Sequence, residues 1–272
     1  MDSAKLKELL LNDDPEYWSL LKLLTGQARD FDELFLFSSL RKKAHARQLA
    51  RPGLLHDKIR LAVLGGYSLY PLHELIEHLA ETQGITVELW KGDFDNYVAE
   101  IMETYSALYE FAPHVVLLLP SENRCKYPGE LIDTREAQQA EAQRTVDSLL
   151  GLARMVNEKT RAEIIITNFM LPARHDLGAF RSRSRGSDWS FRSWVNLELG
   201  LAAPAFLHIC DLAFLASRHG GLAARDERSW FESKQPCSPA LMVELAREVV
   251  HLIVSIRRPP KKVLVLDLDN TL

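Results

Sequence analysis

Two aspartates close to the end of the sequence have the spacing of a reactive carboxylate pair. An apolar run, Val263–Leu268, continues into DLDNTL at residues 267–272, which follows the pattern D-x-D-x-T-L. A carboxylate can act as a nucleophile, as a general acid or base, or as a ligand of a hard cation such as Mg²⁺. An apolar strand that delivers two carboxylates, one alternation apart, is a more specific signal than an ordinary acidic turn.

This pattern resembles motif I of the haloacid-dehalogenase superfamily. The resemblance implies that Asp267 attacks phosphorus and that Asp269 acts first as general acid and then as base. It also implies that Mg²⁺, held with Asp267 and Asp269, neutralises the oxyanions gathered there. The family's serine or threonine, its lysine and its further acidic ligands would all follow Leu272. We therefore expect Lys261–Leu272 to be disordered or added to a sheet edge. We expect these 272 residues alone to have no phosphatase activity and to bind no cofactor.

A second motif lies upstream, where residues 228–239 read RSWFESKQPCSP. It fits the order W-x-x-x-K-Q-P-x-S-P and is followed by a long predicted helix, a proline break and DLDNTL. This order resembles the FkbH-like family of polyketide biosynthesis, as does the segment Asp93–Phe111. The resemblance extends over most of the chain from about residue 58. The residues that carry the motif are Trp230, Lys234, Gln235, Pro236, Ser238 and Pro239.

The FkbH-like resemblance implies a function for the parent protein. Full-length members take 1,3-bisphosphoglycerate, remove phosphate, and load a glyceryl unit onto the phosphopantetheine thiol of an acyl carrier protein. The implied partners are therefore a phosphorylated three-carbon metabolite and a carrier protein, which this portion would position. The cysteine that relays the acyl group in that family usually lies inside the phosphatase domain, so neither Cys125 nor Cys237 is assigned that role.

The upstream domain of that family resembles SGNH hydrolases, and this implies a second set of candidate residues. Ser68, at a glycine-rich turn after the first predicted strand, would be the nucleophile. The backbone N–H of Gly92 and the side chains of Asn123 and Asn168 would stabilise an oxyanion. Each also has a structural explanation: a helix cap for Ser68, a turn for Gly92, and loop hydrogen bonds for the asparagines.

The base that would activate this serine is missing from its expected place. After the fifth predicted strand there is no Asp-x-x-His, since Asp211 is preceded by His208 and followed by His219 only eight positions later. Without a base, a serine hydroxyl is a weak nucleophile. Three functions remain open: positioning of substrate or carrier, ester hydrolysis or acyl transfer by Ser68, and non-catalytic protein interaction. The missing histidine favours the first and the third.

The elements that must position these residues follow from hydrophobic patterning. Residues 1–57 are predicted to be helical, 58–258 to form an α/β domain, and 259–272 to be a linker and the start of a phosphatase domain. Near-continuous apolar strands alternating with helices indicate a three-layer αβα sandwich with a parallel sheet, as in SGNH hydrolases. The ligand crevice should lie beyond the carboxyl ends of the strands. The predicted strands are Ile59–Leu64, Ile85–Trp90, Val115–Leu119, Glu163–Thr167 and Leu207–Leu212. The main predicted helices are Pro15–Gly26, Phe31–Ala50, Leu69–Thr82, Val98–Phe111, Thr134–Lys159 and Pro239–Ile256.

Composition limits the partners. A formal net charge of -4 gives no electrostatic reason to expect nucleic acid or an anionic membrane. No signal peptide is evident, and no window approaches the roughly 18 apolar residues that span a bilayer. The cysteines Cys125, Cys210 and Cys237 form no C-x-x-C pair, so we expect a reduced, cytoplasmic protein. No zinc-ligand spacing is found at His56, His73, His78 and His175.

An arginine-rich stretch, Ala173–Trp189, is predicted to be a mobile loop. Arg183 and Arg185 in this stretch would suit an acidic helix of a carrier protein, since such surfaces act through electrostatic complementarity. The alternative is a loop whose charges are simply solvated.

Overall fold

Five short apolar runs form one sheet whose ladders are all parallel. This computed structural model describes residues 2–50, 57–174 and 177–258. The strands are β1 (Asp57–Gly65), β2 (Ile85–Lys91), β3 (Val115–Leu119), β4 (Glu163–Thr167) and β5 (Leu207–Cys210). Their order in the sheet is β2-β1-β3-β4-β5, so the direction of strand addition reverses between β1 and β3. A crevice outside the carboxyl ends of these two strands is where open parallel sheets commonly hold ligands.

Helices precede the sheet and connect its strands, and most begin at a polar cap. Asp30 accepts a hydrogen bond from the N–H of Glu33, and Ser238 accepts one from Leu241. The helices are α1 (Asp2–Leu11), α2 (Glu16–Gln27), α3 (Phe31–Ala46), α4 (Leu72–Thr82), α5 (Tyr97–Met102), α6 (Ala107–Phe111), α7 (Arg135–Thr160), α8 (Asp188–Leu201), α9 (Leu212–His219), α10 (Glu227–Ser233) and α11 (Pro239–Arg257).

Both faces of the sheet are buried, because its strands carry apolar side chains on both sides. Leu61 and Val63 of β1 point into a core shared with α4, α9 and α11. Ala62 and Leu64 point into a second core shared with α5, α6, α7 and α8. The predicted fold class, a three-layer α/β sandwich with a parallel sheet preceded by a helical segment, is confirmed.

The amino-terminal helices extend the first of these cores. Helices α2 and α3 contact α4, and α3 also contacts α11. Arg41 of α3 forms a 2.7 Å ion pair with Glu81 of α4, and Arg247 of α11 donates to the Ala28 carbonyl at 2.6 Å. Helices α1–α3 share a core with the sheet. The predicted domain boundaries near residues 57 and 258 stay predictions.

Several predicted bounds differ from the structure. Gly26 does not end α2, which continues to Gln27 and is followed by Ala28 in an extended conformation. The predicted helix Val98–Phe111 is two short helices, α5 and α6. β5 stops at Cys210, because the Asp211 side chain accepts from the Phe214 N–H and caps α9.

The arginine-rich stretch is partly helical. A 3₁₀ helix spans Gly178–Arg183, and Ser187 caps α8 by accepting from the Ser190 N–H. Arg185 stacks on Trp194 at 4.9 Å from the ring centroid and donates to Gln139 at 3.0 Å. Arg183 is exposed. Of the two arginines proposed for a carrier surface, only Arg183 is therefore free of these packing contacts.

Candidate functional site

Two glycines end β1 where the chain passes close to the loop after β3. A Cβ on Gly65 would lie 2.6 Å from the Leu119 carbonyl oxygen, and a Cβ on Gly66 would collide with the Cβ of Ser121. The Gly66 N–H also donates to the Leu119 carbonyl at 2.9 Å. Only glycine permits this approach, which brings the β1 and β3 loops together at the reversal point of the sheet.

Ser68, the predicted nucleophile, lies in the turn between β1 and α4. Its backbone N–H donates to the Lys234 carbonyl at 2.9 Å, and its hydroxyl donates to the Tyr70 carbonyl at 3.3 Å. Gln235 donates from Nε2 to the same Tyr70 carbonyl at 2.8 Å. Ser68 does not cap α4, whose N-cap residue is Pro71. The K-Q-P motif is thus bound to the first βα turn, a link that the sequence does not show.

An open cavity of about 550 Å³ lies against this turn, at the carboxyl ends of β1 and β2. Its position agrees with the expected location of a ligand crevice in a parallel sheet. Residues from the β1 turn, the start of α4, the end of β2 and the end of α10 line it. They are Tyr67, Ser68, Leu69, Tyr70, His73, Lys91, Gly92, Asp93, Phe94, Ser233 and Lys234.

Gly92 shares the cavity with Ser68, but its backbone N–H is already engaged. It donates to the Val63 carbonyl at 3.0 Å, continuing the ladder between β1 and β2. The neighbouring Asp93 N–H donates to Glu100 Oε1 at 2.9 Å. A Cβ at Gly92 would collide with the Glu100 carboxylate. In this structure the Gly92 N–H completes the sheet ladder, and its role as an oxyanion donor stays a prediction.

The two predicted asparagines lie away from the cavity lining. Asn123 is exposed in a 3₁₀ turn, Glu122–Arg124, and its backbone N–H donates to Ser121 Oγ at 3.3 Å. Asn168 is buried after β4, where its Nδ2 donates to Asp211 at 2.7 Å and its Oδ1 accepts from the Ala213 N–H at 2.9 Å. Asn168 therefore fastens the end of β4 to the start of α9, and neither side chain lines the cavity with Ser68.

The late histidines have other partners. His208 contacts Glu163 at 2.8 Å, and His219 contacts Glu244 at 3.2 Å. Neither lines the cavity that holds Ser68. The structure therefore agrees with the missing Asp-x-x-His in the sequence.

A different imidazole lines that cavity. His73, on the first turn of α4, is buried, and its Nδ1 lies 2.9 Å from the Leu69 carbonyl oxygen. Because a carbonyl only accepts, Nδ1 carries the proton and Nε2 is the acceptor nitrogen. Burial lowers the pKa of His73 below its ordinary value, so the ring is neutral at neutral pH. The sequence did not indicate His73 as a base, because the family pattern places the catalytic histidine after the fifth strand.

The crevice at the reversal point of the sheet is occupied by an ionic network. Glu122 accepts from Arg192 at 3.0 Å and from Arg225 at 2.8 and 2.6 Å, while its N–H donates to the Tyr67 hydroxyl at 3.0 Å. Burial alone would raise the pKa of Glu122, but the hydrogen bonds and charge of Arg225 and the charge of Arg192 hold it below its usual value. Burial, with the Glu122 charge, raises the pKa of the Tyr67 phenol. This network joins the loops after β1 and β3 to α8 and to the segment before α10.

The free cysteines are poor candidates for thiolate chemistry. Cys125, Cys210 and Cys237 are all buried. Burial raises the pKa of the Cys125 thiol to about 12 and also raises the pKa of the other two thiols. Within residues 2–50, 57–174 and 177–258, no three histidine, cysteine, aspartate or glutamate side chains are grouped to hold a metal ion. Asp267, Asp269, His56 and His175 lie outside the described residues.

The family model for the FkbH N-terminal domain matches residues 60–254. The chain belongs to this family. The FkbH-like resemblance is thereby confirmed, and the matched residues include the K-Q-P motif and end before DLDNTL. Among curated proteins, no sequence matches this chain. In the described part of this FkbH-type domain, none of the helices has the length and apolarity needed to span a bilayer.

A solved structure with a similar fold is the N-terminal part of the protein BF1531 from Bacteroides fragilis, containing a phosphatase domain complexed with Mg. It is 21% identical with a TM-score of 0.65, and the match covers 79% of this chain and 56% of that one. The chain thus spans just over half the length of that solved N-terminal part.

Two lipases match at lower similarity. The lipase Lip_vut3 from a goat rumen metagenome is 13% identical with a TM-score of 0.49, over 70% of this chain and 96% of that one. The lipase/acylhydrolase from Enterococcus faecalis is 16% identical with a TM-score of 0.46, over 75% and 100%. This likeness is too low to bear on function.

Proposed function

We propose that this chain is the amino-terminal portion of an FkbH-like enzyme and positions substrate or carrier protein for a phosphatase domain, without hydrolysing esters itself. One observation carries the proposal: the predicted hydrolase site is not assembled around Ser68. The serine hydroxyl donates to Tyr70, and the Gly92 N–H is committed to Val63. Both asparagines also lie outside the cavity lining. Family membership and the DLDNTL sequence support a phosphatase parent.

For the parent protein, we propose dephosphorylation of 1,3-bisphosphoglycerate and loading of a glyceryl unit onto the phosphopantetheine thiol of an acyl carrier protein. We place this reaction, a step of polyketide biosynthesis, in the cytoplasm. Asp267 would attack phosphorus, and Asp269 would donate and then accept the proton. Mg²⁺, which is also present in the Bacteroides fragilis relative, would be held with these carboxylates and neutralise phosphate charge.

The competing function is an esterase or acyltransferase using Ser68, and one observation favours it. His73 lines the same cavity as a neutral imidazole whose Nε2 can accept a proton. The two functions are separated by measuring p-nitrophenyl acetate hydrolysis by the unsubstituted 272-residue chain and by its Ser68→Ala variant. We expect no serine-dependent turnover. Hydrolysis that disappears in Ser68→Ala would establish the esterase instead.

Carrier positioning is tested by equilibrium binding. The chain is titrated with phosphopantetheinylated carrier protein from the same biosynthetic system, and with the apo form as a control. We expect saturable binding that weakens as salt is raised, because charge complementarity acts over a Debye length. Arg183→Glu should weaken binding, whereas Arg154→Glu on exposed α7 should not. Equal affinity of the unsubstituted chain and Arg183→Glu for the carrier protein would show that the arginine-rich stretch is not part of the interface.

A further inference from the structure

We propose that the cavity beside Ser68 binds a small oxyanion-bearing molecule, a phosphate ester or a carboxylate, between the ammonium groups of Lys91 and Lys234. The cavity, of about 550 Å³, has the size of a metabolite site. This inference deepens the positioning role proposed above, because it assigns that role a small-molecule site on this chain.

The charges around the cavity favour an anion. Its lining contains two lysines, Lys91 and Lys234, against a single carboxylate, Asp93. Neither lysine has an ion-pair partner within the part of the chain that the structure describes. The nearby Glu100 carboxylate is turned toward Gly92 and accepts from the Asp93 N–H. An anion between the two ammonium groups would supply the charge partner that both lack.

The backbone at Lys234 is held in a conformation that ordinary residues avoid. Its φ and ψ are 55° and 38°, in the left-handed region, at the end of α10. Its N–H donates to the Trp230 carbonyl at 3.0 Å, and its carbonyl accepts from Ser68 at 2.9 Å. Glycine is the usual residue at such a helix end, because a Cβ is disfavoured in the left-handed region. A lysine at this strained position points to a use for its side chain.

Aromatic rings fix the direction of that side chain. The Lys234 ammonium lies 5.0 Å from the ring centroid of Trp230 and 5.9 Å from that of Phe231. Cation–π attraction therefore restrains the ammonium group of Lys234, a residue of the cavity lining, before any ligand arrives. A restrained charge loses less conformational entropy on binding than a freely moving lysine.

Polar groups at the same wall suit the remainder of such a ligand. Ser68, Tyr70 and Ser233 line the cavity. The Ser68 and Ser233 hydroxyls already donate to the carbonyls of Tyr70 and Ser229, so their oxygens can accept from a hydroxyl group of the ligand. Gln235 lies outside the cavity lining, but its Nε2 donates to the Tyr70 carbonyl at 2.8 Å and so holds the turn that carries Ser68 and Tyr70.

The test is calorimetric titration of the chain at low ionic strength with inorganic phosphate, glycerol 3-phosphate and glycerate, with glycerol as the neutral control. Glycerol 3-phosphate and glycerate distinguish phosphate-ester recognition from carboxylate recognition. We expect at least one anion to bind saturably at millimolar concentration and glycerol not to bind. Absence of saturable binding by all three anions would overturn the proposal.

Three variants locate the site. Lys234→Gly removes the ammonium group but suits the left-handed backbone, so the melting temperature should stay level or rise. Lys91→Met keeps most of the side-chain volume, and Lys7→Met on exposed α1 is the control. We expect each cavity variant to weaken binding about tenfold, which corresponds to loss of one charge-assisted contact. Parent-like affinity in both cavity variants would refute the assignment.

This titration contains no carrier protein. Failure of anion binding with intact carrier binding would therefore reject the cavity site alone. Failure of carrier binding with intact anion binding would leave the site in place and reject only the carrier-positioning role proposed above.

Discussion

Glu122 connects segments that are distant in the sequence. Its carboxylate forms an ion pair with Arg192, whose side chain is only 4% exposed. It also accepts two hydrogen bonds from Arg225. Arg192 further donates to the carbonyls of Cys125 and Met170. Removing the carboxylate would leave a buried guanidinium without its main counter-charge, which is far more costly than losing a surface ion pair.

Glu122→Gln should therefore lower the free energy of unfolding by about 3 kcal/mol at pH 7. The folded pKa of Glu122 is depressed from its ordinary value of 4.5, so its contribution is present above that pH and is lost as pH falls toward the folded pKa. Urea unfolding across pH 7 to 3 should show a shallower acid loss in the variant. Glu232→Gln, at an exposed pair with Arg228, should cost less than about 0.5 kcal/mol. Equal losses in the two variants would contradict the argument.

His78 is buried between α4 and the amino-terminal helices. Thr25 Oγ1 donates to the Leu21 carbonyl at 2.7 Å, so it accepts from His78 Nε2 at 2.9 Å. Among the described residues, His78 Nδ1 has no hydrogen-bond partner, so it would become an unpaired buried donor on protonation. Burial, with the charges of Arg41 and Arg247, outweighs Glu81 and lowers the pKa of His78 to about 3.

His78→Gln should flatten the acid dependence of stability. The unfolded chain protonates this imidazole near pH 6.5 and the folded chain only near 3, so stability falls as pH drops through that window. The slope from this group approaches about 1.4 kcal/mol per pH unit. Unfolding free energies of parent and variant at pH 7, 6, 5 and 4 measure it. Parallel curves for the two proteins would show that His78 does not titrate as described.

At the scale of elements, the ends of β1 and β3 are set by backbone contact. Gly66 packs against the Ser121 Cβ, and its N–H closes the ladder to Leu119. Gly151, by contrast, lies within α7 with no heavy atom within 4 Å of its would-be Cβ. Replacing glycine by alanine should therefore change the free energy of unfolding in opposite directions at these two positions.

Gly66→Ala should destabilise the protein by about 1–3 kcal/mol, since the loop after β3 must move to admit a methyl group. Gly151→Ala should stabilise it by about 0.5–1 kcal/mol through helix propensity. Denaturant midpoints compared at equal m-values would measure both effects. A stable Gly66→Ala protein would mean that the two loops are not in the contact described.

Patterning predicted the strands well, because apolar runs such as Val115–Leu119 and Glu163–Thr167 are buried on both faces and bounded by polar residues. It predicted helix and strand ends less well. The Asp211 cap shortened β5, and the break after Met102 divided one predicted helix into two. Such ends depend on local side-chain hydrogen bonds, which periodicity does not encode.

The site was predicted only in part. Ser68 and Gly92 do share a cavity, since both follow neighbouring parallel strands. Asn123 and Asn168 also follow strands, but Asn123 is exposed and the Asn168 side chain bonds with Asp211 and the Ala213 N–H. Lys234 could not be placed beside Ser68 from spacing, because a tertiary backbone hydrogen bond from the Ser68 N–H to the Lys234 carbonyl joins the two segments.

At the scale of the whole molecule, the amino-terminal helices and the sheet share one hydrophobic core, and we expect them to unfold together. Leu21 of α2 is 2% exposed within the core shared with α4 and α11, whereas Leu23 on the same helix is 56% exposed. A substitution in α2 should therefore affect unfolding of the strands as much as that of the helices.

Leu21→Ala should lower the free energy of unfolding by about 2–4 kcal/mol, and Leu23→Ala by less than about 0.5 kcal/mol. Hydrogen exchange of β1 and β3 amides should report the same loss as global urea unfolding. Strand amides that keep the unsubstituted protein's protection in Leu21→Ala would show that the amino-terminal helices unfold independently of the sheet.

The bond between Gln235 and Tyr70 joins residues 165 positions apart. During synthesis, the turn that carries Ser68 leaves the ribosome long before the segment that secures it. The helix α11, against which α3 and α4 pack, emerges later still. The apolar faces of α3 and α4 therefore cannot be fully buried until nearly all of residues 2–257 have been translated. Slow folding and a need for chaperone protection of nascent chains follow from this order of appearance.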